Sequence, residues 1–227
     1  MLLGISEDVR TAWQQSFLGD LPEDLSARLL DGVRVESVSG GEVVLRGEGP
    51  ELPVFLVVEG LLRVFLRSRD GRQATARYAA ESEIIGLPPL LAEGMAVIGE
   101  AVTDARLVRL PGKRFKAMAS TEAPLAWATA RYLALQVATG NDTLSADIFL
   151  PVRARVARHL LDLAQEAPAG LVVRARHQYI ADAVGSVREV VSREMKRLAE
   201  AGVITRVDEG VLIVDLAGMH RIASGAD

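Results

Sequence analysis

The sequence predicts an α+β chain with an N-terminal antiparallel β-roll, one long helix, and a C-terminal pair of short helices followed by a β-hairpin. Three observations predict it. Short segments rich in Val, Leu and Phe alternate with Gly turns between residues 32 and 110, which is typical of a small antiparallel barrel or roll. Residues 120–146 form one long helical segment. Residues 175–204 contain two short segments of helical periodicity that meet at Gly185.

The N-terminal part begins with two short helical segments, residues 7–17 and 22–30, the second with Pro near its first turn. The strand segments that follow are VRVESV, EVVLR, PVFLVVEG, LLRVFLRS, QATARY and EAVTDARLVRL. Gly turns separate them, among them Gly60 and the Asp70-Gly71 pair. This pattern predicts the roll, but strands alone do not identify a ligand.

The C-terminal helix pair has a defined turn. Gly185 stands where the first helix must stop and where the backbone often needs positive φ. Ser186 is expected to cap the second helix, and Glu189 three residues later completes a capping box. The predicted apolar face of the second helix consists of Val187, Val190, Val191, Met195 and Leu198. The opposite face consists of Arg188, Glu189, Ser192, Arg193 and Lys196.

The polar face of the second helix suits the reading of DNA bases. An Arg guanidinium can donate two parallel bonds to O6 and N7 of guanine, a Glu carboxylate can accept from N4 of cytosine, and each good bidentate pair discriminates by ~1–3 kcal/mol. The alternative is a solvated face with intrahelical Glu/Arg pairs. Two alternating apolar segments follow, residues 203–207 and 211–215, joined by residues 208–210. They predict a hairpin, so the unit is a winged helix, and this context favours DNA binding.

From FLPVRARVARHLLDLAQ through the helix pair to AGVI and the hairpin, residues 147–216 resemble the DNA-binding domain of the CRP/FNR family of bacterial transcription regulators. The resemblance implies that Arg188, Glu189 and Arg193 stand at the base-reading positions of the cyclic-AMP receptor type. It also implies a half-site similar to TGTGA and makes RNA polymerase a candidate partner. Ser192 occupies a place where FNR-like members also carry Ser. The expected phosphate contacts are His177, Gln178, Ser186 and Lys196.

The N-terminal strands resemble the cyclic-nucleotide-binding β-roll of the same family, with FLVVEGLLRVFLRSRDGRQ matching its central hairpin. Cyclic-nucleotide binders of the family use a Gly-rich segment and an Arg for the phosphate, and an acidic residue for the ribose. The equivalent stretch here, IIGLPPLLAEGMAVIGEAV, keeps only Gly86 and Gly94. Leu87 replaces the acidic residue, and Val97 and Ile98 replace the Arg and its neighbour. A buried phosphate without a cation is unfavourable, so neither cAMP nor cGMP is expected.

Two alternatives remain for the sensor interior: collapse into ordinary core, or a pocket for an apolar or weakly polar effector. The candidate pocket residues are Gly86, Leu87, Val97, Ile98, Thr139 and Asn141. Haem is not expected, because all three histidines, His159, His177 and His220, lie in the C-terminal part. The chain has no cysteine, which excludes a Cys-ligated iron–sulfur cluster.

The long helical segment carries an apolar repeat near 3.5 residues, the spacing of a two-stranded seam. The repeat consists of Leu125, Ala128, Tyr132, Leu135 and Thr139. A helix packed on its own roll gives nearly the same pattern. The family resemblance identifies the segment as a dimer helix and predicts a homodimer. The predicted domains are residues 1–119, 120–146 and 147–227.

Composition sets the remaining bounds. The 227 residues are 49% hydrophobic with a net charge of −4, yet residues 174–197 hold six Lys or Arg against three Asp or Glu, so the positive field is local. No apolar run approaches ~20 residues, which predicts a soluble, cytoplasmic protein without a membrane segment. Neither a metal-ligand cluster nor a catalytic spacing stands out, so an enzyme is not expected. The alternative function is a ligand-binding regulatory module that acts mainly through protein partners.

Overall fold

A computed structural model of the chain describes residues 6–68, 73–92 and 94–225. The chain divides into two compact units. The first comprises residues 1–67 and 76–140, and the second comprises residues 68–75 and 141–227. The predicted turn at Asp70-Gly71 lies outside the described residues.

The N-terminal half is a β-roll with helices at both ends of its sequence. Its elements are α1 (Glu7–Gln15), α2 (Glu23–Leu30), β1 (Arg34–Val38), β2 (Val43–Gly47), β3 (Val54–Glu59), β4 (Leu62–Arg67), β5 (Gln73–Ala79), β6 (Ile84–Ile85), α3 (Leu87–Leu91), β7 (Val97–Ala101), β8 (Ala105–Leu110), α4 (Gly112–Thr121) and α5 (Ala123–Phe149). The strands form two four-stranded sheets with the orders β1-β8-β3-β6 and β2-β7-β4-β5. The predicted antiparallel roll is confirmed.

Strand β3 is buried on both faces because it separates two parts of the core. Its residues Val54, Leu56 and Val58 belong to one apolar cluster, and Phe55 and Val57 belong to another. Alternate side chains of a strand point to opposite faces of the sheet, so a continuous apolar run fits a strand covered on both sides. The first cluster joins the sheet to the helices, and the second fills the space between the two sheets.

The hairpin that the family resemblance implies for FLVVEGLLRVFLRSRDGRQ, with its turn at Gly60 between β3 and β4, is wrong. Strand β3 pairs with β8 and β6, whereas β4 pairs with β7, so the chain crosses from one sheet to the other at Gly60. Gly60 has φ 94°, and a Cβ there would lie 2.5 Å from the carbonyl oxygen of Asp104. Only glycine fits this crossing without strain.

The C-terminal unit contains the predicted winged helix-turn-helix. Its elements are α6 (Val152–Leu163), β9 (Gln165–Ala167), β10 (Gly170–Val173), α7 (His177–Ala183), α8 (Arg188–Glu200), β11 (Ile204–Val207), β12 (Gly210–Ile213) and α9 (Leu216–Ala223). The wing is the hairpin of β11 and β12, closed by the facing pair Val207 and Gly210. It belongs to a four-stranded sheet of order β11-β12-β10-β9. The hairpin of β9 and β10 was not expected from the sequence.

Candidate DNA-binding surface and sensor interior

The turn between α7 and α8 is a hydrogen-bonded C-terminal cap. The N–H of Ser186 donates to the carbonyl oxygen of Ala181 at 2.9 Å, and the N–H of Val184 donates to that of Ile180 at 2.9 Å. Gly185 has φ 62°, as predicted. The bond from Ser186 back across the turn is the long bond of a Schellman motif, which ends a helix sharply and fixes the direction of the chain that follows.

The predicted capping box of α8 is wrong. The N-cap is Val187, which makes no side-chain cap, and its carbonyl oxygen accepts from the N–H groups of Val190 and Val191. The side chain of Val187 is 57% exposed and does not belong to the apolar face of the helix. The hydrogen-bonded turn includes Ser186, so α8 begins one residue later than predicted. Ser186 therefore cannot cap it, and its role as a phosphate ligand stays a prediction.

Helix α8 presents its predicted base-reading residues outward. Arg188, Glu189 and Arg193 are exposed, and Ser192 is half-buried. The opposite face is buried and consists of Val191, Glu194, Met195 and Leu198. Within the part of the chain that the structure describes, Arg188 and Glu189 make no hydrogen bond or ion pair, and Arg193 only approaches Glu194, with Nε 3.9 Å from Oε1. Intrahelical pairing therefore leaves Arg188 and Glu189 available, whereas Lys196 on the same face lies within ion-pair distance of Glu200.

Both predicted phosphate contacts on α7 make hydrogen bonds within the domain. Nδ1 of His177 lies 2.9 Å from Oγ of Ser192 on α8, and Nε2 of Gln178 donates to Oδ1 of Asp182 at 2.8 Å. Burial lowers the pKa of His177, and the positive charges of Arg188 and Arg206 lower it further. His177 therefore connects the two helices of the motif, which its sequence position does not reveal.

The charges of the wing are partly balanced. Glu209 forms an ion pair with Arg174, and Asp208 and Arg206 are exposed. The pair is exposed, so it adds little stability. It does place a cation beside Asp208 and Glu209, whose negative charges would otherwise repel nearby phosphates. On α8, the predicted phosphate ligand Lys196 is exposed and lies 3.7 Å from Glu200.

The burial of Glu194 on α8 was not predicted from the sequence. Glu194 is 5% exposed, and its Oε1 accepts from Nη1 of Arg197 at 2.8 Å. It occupies the apolar stripe three residues after Val191, a position where the pattern alone would place Leu or Val. That interruption of the stripe is the signal that could have identified it.

The space between the two sheets is filled by side chains. Its buried residues include Leu45, Phe55, Leu62, Val64, Ile85, Val97 and Leu107. A Cβ added at Gly99 would lie 3.1 Å from atoms of both Leu45 and Ile85. This close packing agrees with the collapsed alternative for the sensor interior.

The candidate effector-pocket residues lie in different surroundings, and their role stays a prediction. Leu87 belongs to the core that joins the sheet to the helices, whereas Val97 belongs to the core between the sheets. Ile98 faces Phe65 across the β4–β7 pairing, and neither belongs to the core between the sheets. Thr139 and Asn141 are exposed on α5. The sequence could place these residues in order but not on opposite faces of a sheet, because that depends on long-range strand pairing.

A polar cluster that was not expected from the sequence connects α5 to the roll. The hydroxyl of Tyr132 donates to the carbonyl oxygen of Ile84 at 2.9 Å and accepts from the N–H of Ile84 at 3.3 Å. Nη2 of Arg77 donates to the Tyr132 hydroxyl at 3.2 Å, and Nη1 pairs with Glu83 at the same distance. The Tyr132 ring stacks on Phe17 with the ring centroids 4.4 Å apart. Helix α5 is therefore fixed to the strand that precedes Gly86.

The substitution Tyr132→Phe should lower the free energy of unfolding by about 1–2 kcal/mol, because it keeps the ring stack but removes the hydroxyl that pairs Ile84. Burial raises the pKa of Tyr132 above its ordinary value of 10.0, so ionisation opposes folding. Stability should then fall as pH rises above 10, and less so in the variant. Urea unfolding measures both effects. Tyr132→Leu should cost more, and equal stability of wild type and Tyr132→Phe would contradict this account.

The predicted dimer seam on α5 lies partly on the wrong face. Leu125 is 0% exposed and belongs to the core of its own roll, and Tyr132 packs against that core. Trp127, Leu135 and Val137 are instead exposed at 71%, 62% and 62%. Of the predicted seam, only Leu135 and Thr139 are exposed. Most of the 3.5-residue repeat that resembled a dimer seam therefore arises from the packing of α5 against its own roll.

The described residues lack two features of other classes of protein. No helix among them is long and apolar enough to span a bilayer. They also hold no group of three or more His, Cys, Asp or Glu side chains arranged to bind a metal ion.

The two units define a class of protein: a β-roll regulator with a winged helix-turn-helix. Residues 35–122 match the cyclic nucleotide-binding domain family, and residues 154–222 match the Crp-like helix-turn-helix domain family. The transcriptional regulator LdrP of Thermus thermophilus is 30% identical over 191 residues, covering 81% of this chain and 93% of LdrP. The chain belongs to the CRP/FNR family of transcriptional regulators.

Further relatives agree with this assignment. The CRP-like cAMP-activated global transcriptional regulator of Mycobacterium tuberculosis is 26% identical and covers 91% of this chain and 95% of its own. A crystal structure of a CRP/FNR-family regulator from Thermus thermophilus superposes with a TM-score of 0.71 at 28% identity, covering 84% of this chain and 98% of that one. Each of these relatives is a transcriptional regulator.

Proposed function

We propose that the protein is a homodimeric regulator that binds an inverted repeat of TGTGA-like half-sites. The observation that carries the proposal is the exposure of Arg188, Glu189 and Arg193 on one helix. Arg188 and Arg193 supply bidentate donors for guanine, and Glu189 supplies an acceptor for the amino group of cytosine. Exposed cations elsewhere, such as Lys196 and Arg206, are suited to the phosphates that orient the domain on the duplex.

Homodimerisation would bring two such helices into successive major grooves ~34 Å apart. Helix α5 has a surface suited to this contact, because Trp127, Leu135 and Val137 are exposed on it. Exposed aromatic and aliphatic side chains are common at the centre of dimer interfaces. The contact surface would be the exposed side of α5 centred on Trp127, and not the buried side that carries Leu125. Contact with RNA polymerase stays a prediction.

The sensor interior favours DNA binding that needs no cyclic nucleotide. Leu87 is fully buried in the helix-facing core, Val97 belongs to the packed core between the sheets, and Pro88 and Pro89 supply no amide donors. Binding a charged phosphate there would require both displacement of core side chains and a new buried charge. An apolar effector would also have to open this core, so the proposed resting state is competent for DNA.

Addition of cAMP or cGMP should therefore leave DNA affinity unchanged within twofold, and calorimetry should show no binding heat at millimolar nucleotide. Fluorescence anisotropy with a labelled TGTGA inverted repeat measures the affinity, and the same duplex with scrambled half-sites is the control. A tenfold or larger gain in specific affinity on adding cAMP would contradict the proposed resting state. Equal affinity for the two duplexes would contradict the proposed function itself.

A further inference from the structure

A histidine and a serine join the two helices of the DNA-binding motif. Nδ1 of His177, the first residue of α7, lies 2.9 Å from Oγ of Ser192, and both side chains are half-buried. Ser192 lies on α8 between Glu189 and Arg193, on the side of the helix that faces outward. The direction of the Ser192 hydroxyl therefore depends on whether Nδ1 of His177 carries a proton.

The surroundings of His177 are cationic. Arg188 on α8 and Arg206 on β11 are the charges that act on the imidazole, and both are exposed. On α7 itself, Asp182 is bonded to Gln178. Burial and these two guanidinium groups lower the pKa of His177, which keeps the ring neutral at pH 7 in the free protein. Approaching phosphates would offset the field of the two arginines and so favour the imidazolium.

We propose that His177 is a positioning residue that takes up one proton when the domain binds a duplex and thereby sets the direction of the Ser192 hydroxyl. The proposal rests on the proposed function, since it concerns the same DNA surface. A neutral ring with its proton on Nε2 accepts from the Ser192 hydroxyl at Nδ1. The imidazolium carries protons on both nitrogens, so Nδ1 must donate to Oγ of Ser192. The hydroxyl proton of Ser192 is then free to be donated toward the DNA.

The sign of the pH effect follows from linkage. Proton uptake on binding means that affinity increases as pH falls, and the gain ends once the free protein is already protonated. A dimer can take up two protons at most. We expect about a tenfold gain in affinity between pH 8 and pH 6 at constant salt, well below the limit set by two full protons.

The test is fluorescence anisotropy with the TGTGA inverted repeat from pH 5.5 to pH 8.5. Wild type should show the tenfold gain. His177→Gln can still bond to Ser192 but cannot titrate, so its affinity should vary less than twofold. His220→Gln is the matched control, because His220 is exposed on α9, and it should keep the full pH dependence. A flat wild-type profile, or an unchanged slope in His177→Gln, would overturn the proposal.

A second measurement separates this proposal from the specificity claim. The imidazole resonances of His177 can be titrated by NMR in the free protein and with a saturating scrambled duplex at low salt, where phosphates bind without base reading. The titration of His177 should move to higher pH with the duplex, and Ser192→Ala should change its Nδ1 signal. If the duplex leaves the titration midpoint of His177 unchanged, the proposed proton uptake is overturned even if specific binding is found. If the duplex raises that midpoint, the proton uptake is supported even if specificity is absent.

Discussion

Replacement of Arg188 by alanine should lower affinity for the TGTGA inverted repeat at least ~30-fold, because a bidentate contact is worth ~1–3 kcal/mol and a dimer loses two of them. Arg188 is exposed and has no competing partner among the described residues, so its guanidinium is available for a base. Affinity for a scrambled duplex should change little. Arg193→Ala should behave in the same way. Fluorescence anisotropy at fixed salt, with both duplexes, measures the fall in the ratio of the affinity for the TGTGA repeat to the affinity for the scrambled duplex.

Arg221→Gln is the control for simple loss of charge. Arg221 is exposed on α9, and its Nη2 lies 3.7 Å from the carboxylate of Asp215. Removal of its charge should lower the affinity for both duplexes by a similar small factor or not at all. The contradicting result is that Arg188→Ala lowers the affinity for the specific and the scrambled duplex equally. Arg188 would then be a phosphate ligand, and the assignment of α8 as the base-reading element would fail.

Introduction of glutamate at Trp127 should dissociate the dimer while leaving each roll folded. The Trp127 side chain is 71% exposed on its own chain, so a carboxylate there costs the monomer little. In a dimer the same carboxylate would be buried in an apolar contact without a partner, which costs several kcal/mol per protomer. Native mass spectrometry should show the monomer mass, and the circular dichroism spectrum should match wild type. DNA affinity should fall with the dimer.

Leu125→Ala distinguishes the two faces of α5. Leu125 is fully buried in the core of its own roll, so its truncation should lower the free energy of unfolding by about 2–5 kcal/mol. Below its reduced melting temperature that variant should remain dimeric. A dimeric Trp127→Glu, or a folded but monomeric Leu125→Ala, would assign the interface to the opposite face.

Local patterns were sufficient for much of the DNA-binding domain. Gly185, the helical spacing around it and the apolar alternation of the wing act within a few residues, so the helix-turn-helix and its hairpin could be predicted. The N-cap of α8 is Val187 and not the predicted Ser186, because Ser186 is part of the hydrogen-bonded turn that ends α7. The bond from His177 to Ser192 spans 15 residues and depends on how two helices pack, which sequence spacing does not encode.

The errors in the sensor half have one physical origin. The strands β3 and β4 are adjacent in sequence yet belong to different sheets, and Leu87 and Val97 belong to different cores. Such placement is decided by pairing between distant strands. On α5 a 3.5-residue repeat fits either a partner helix or the chain's own sheet equally well. The periodicity therefore predicted a long helix correctly but assigned Leu125 to the wrong contact.

Selection from a pool of random duplexes tests the central claim most directly. The purified protein, without added nucleotide, should enrich an inverted repeat of TGTGA-like half-sites whose centres lie about one helical turn apart. The guanine positions should lose their enrichment when the selection is repeated with Arg188→Ala. A pool that remains random after successive rounds, with the protein shown to be folded and dimeric, would contradict sequence-specific DNA binding by α8.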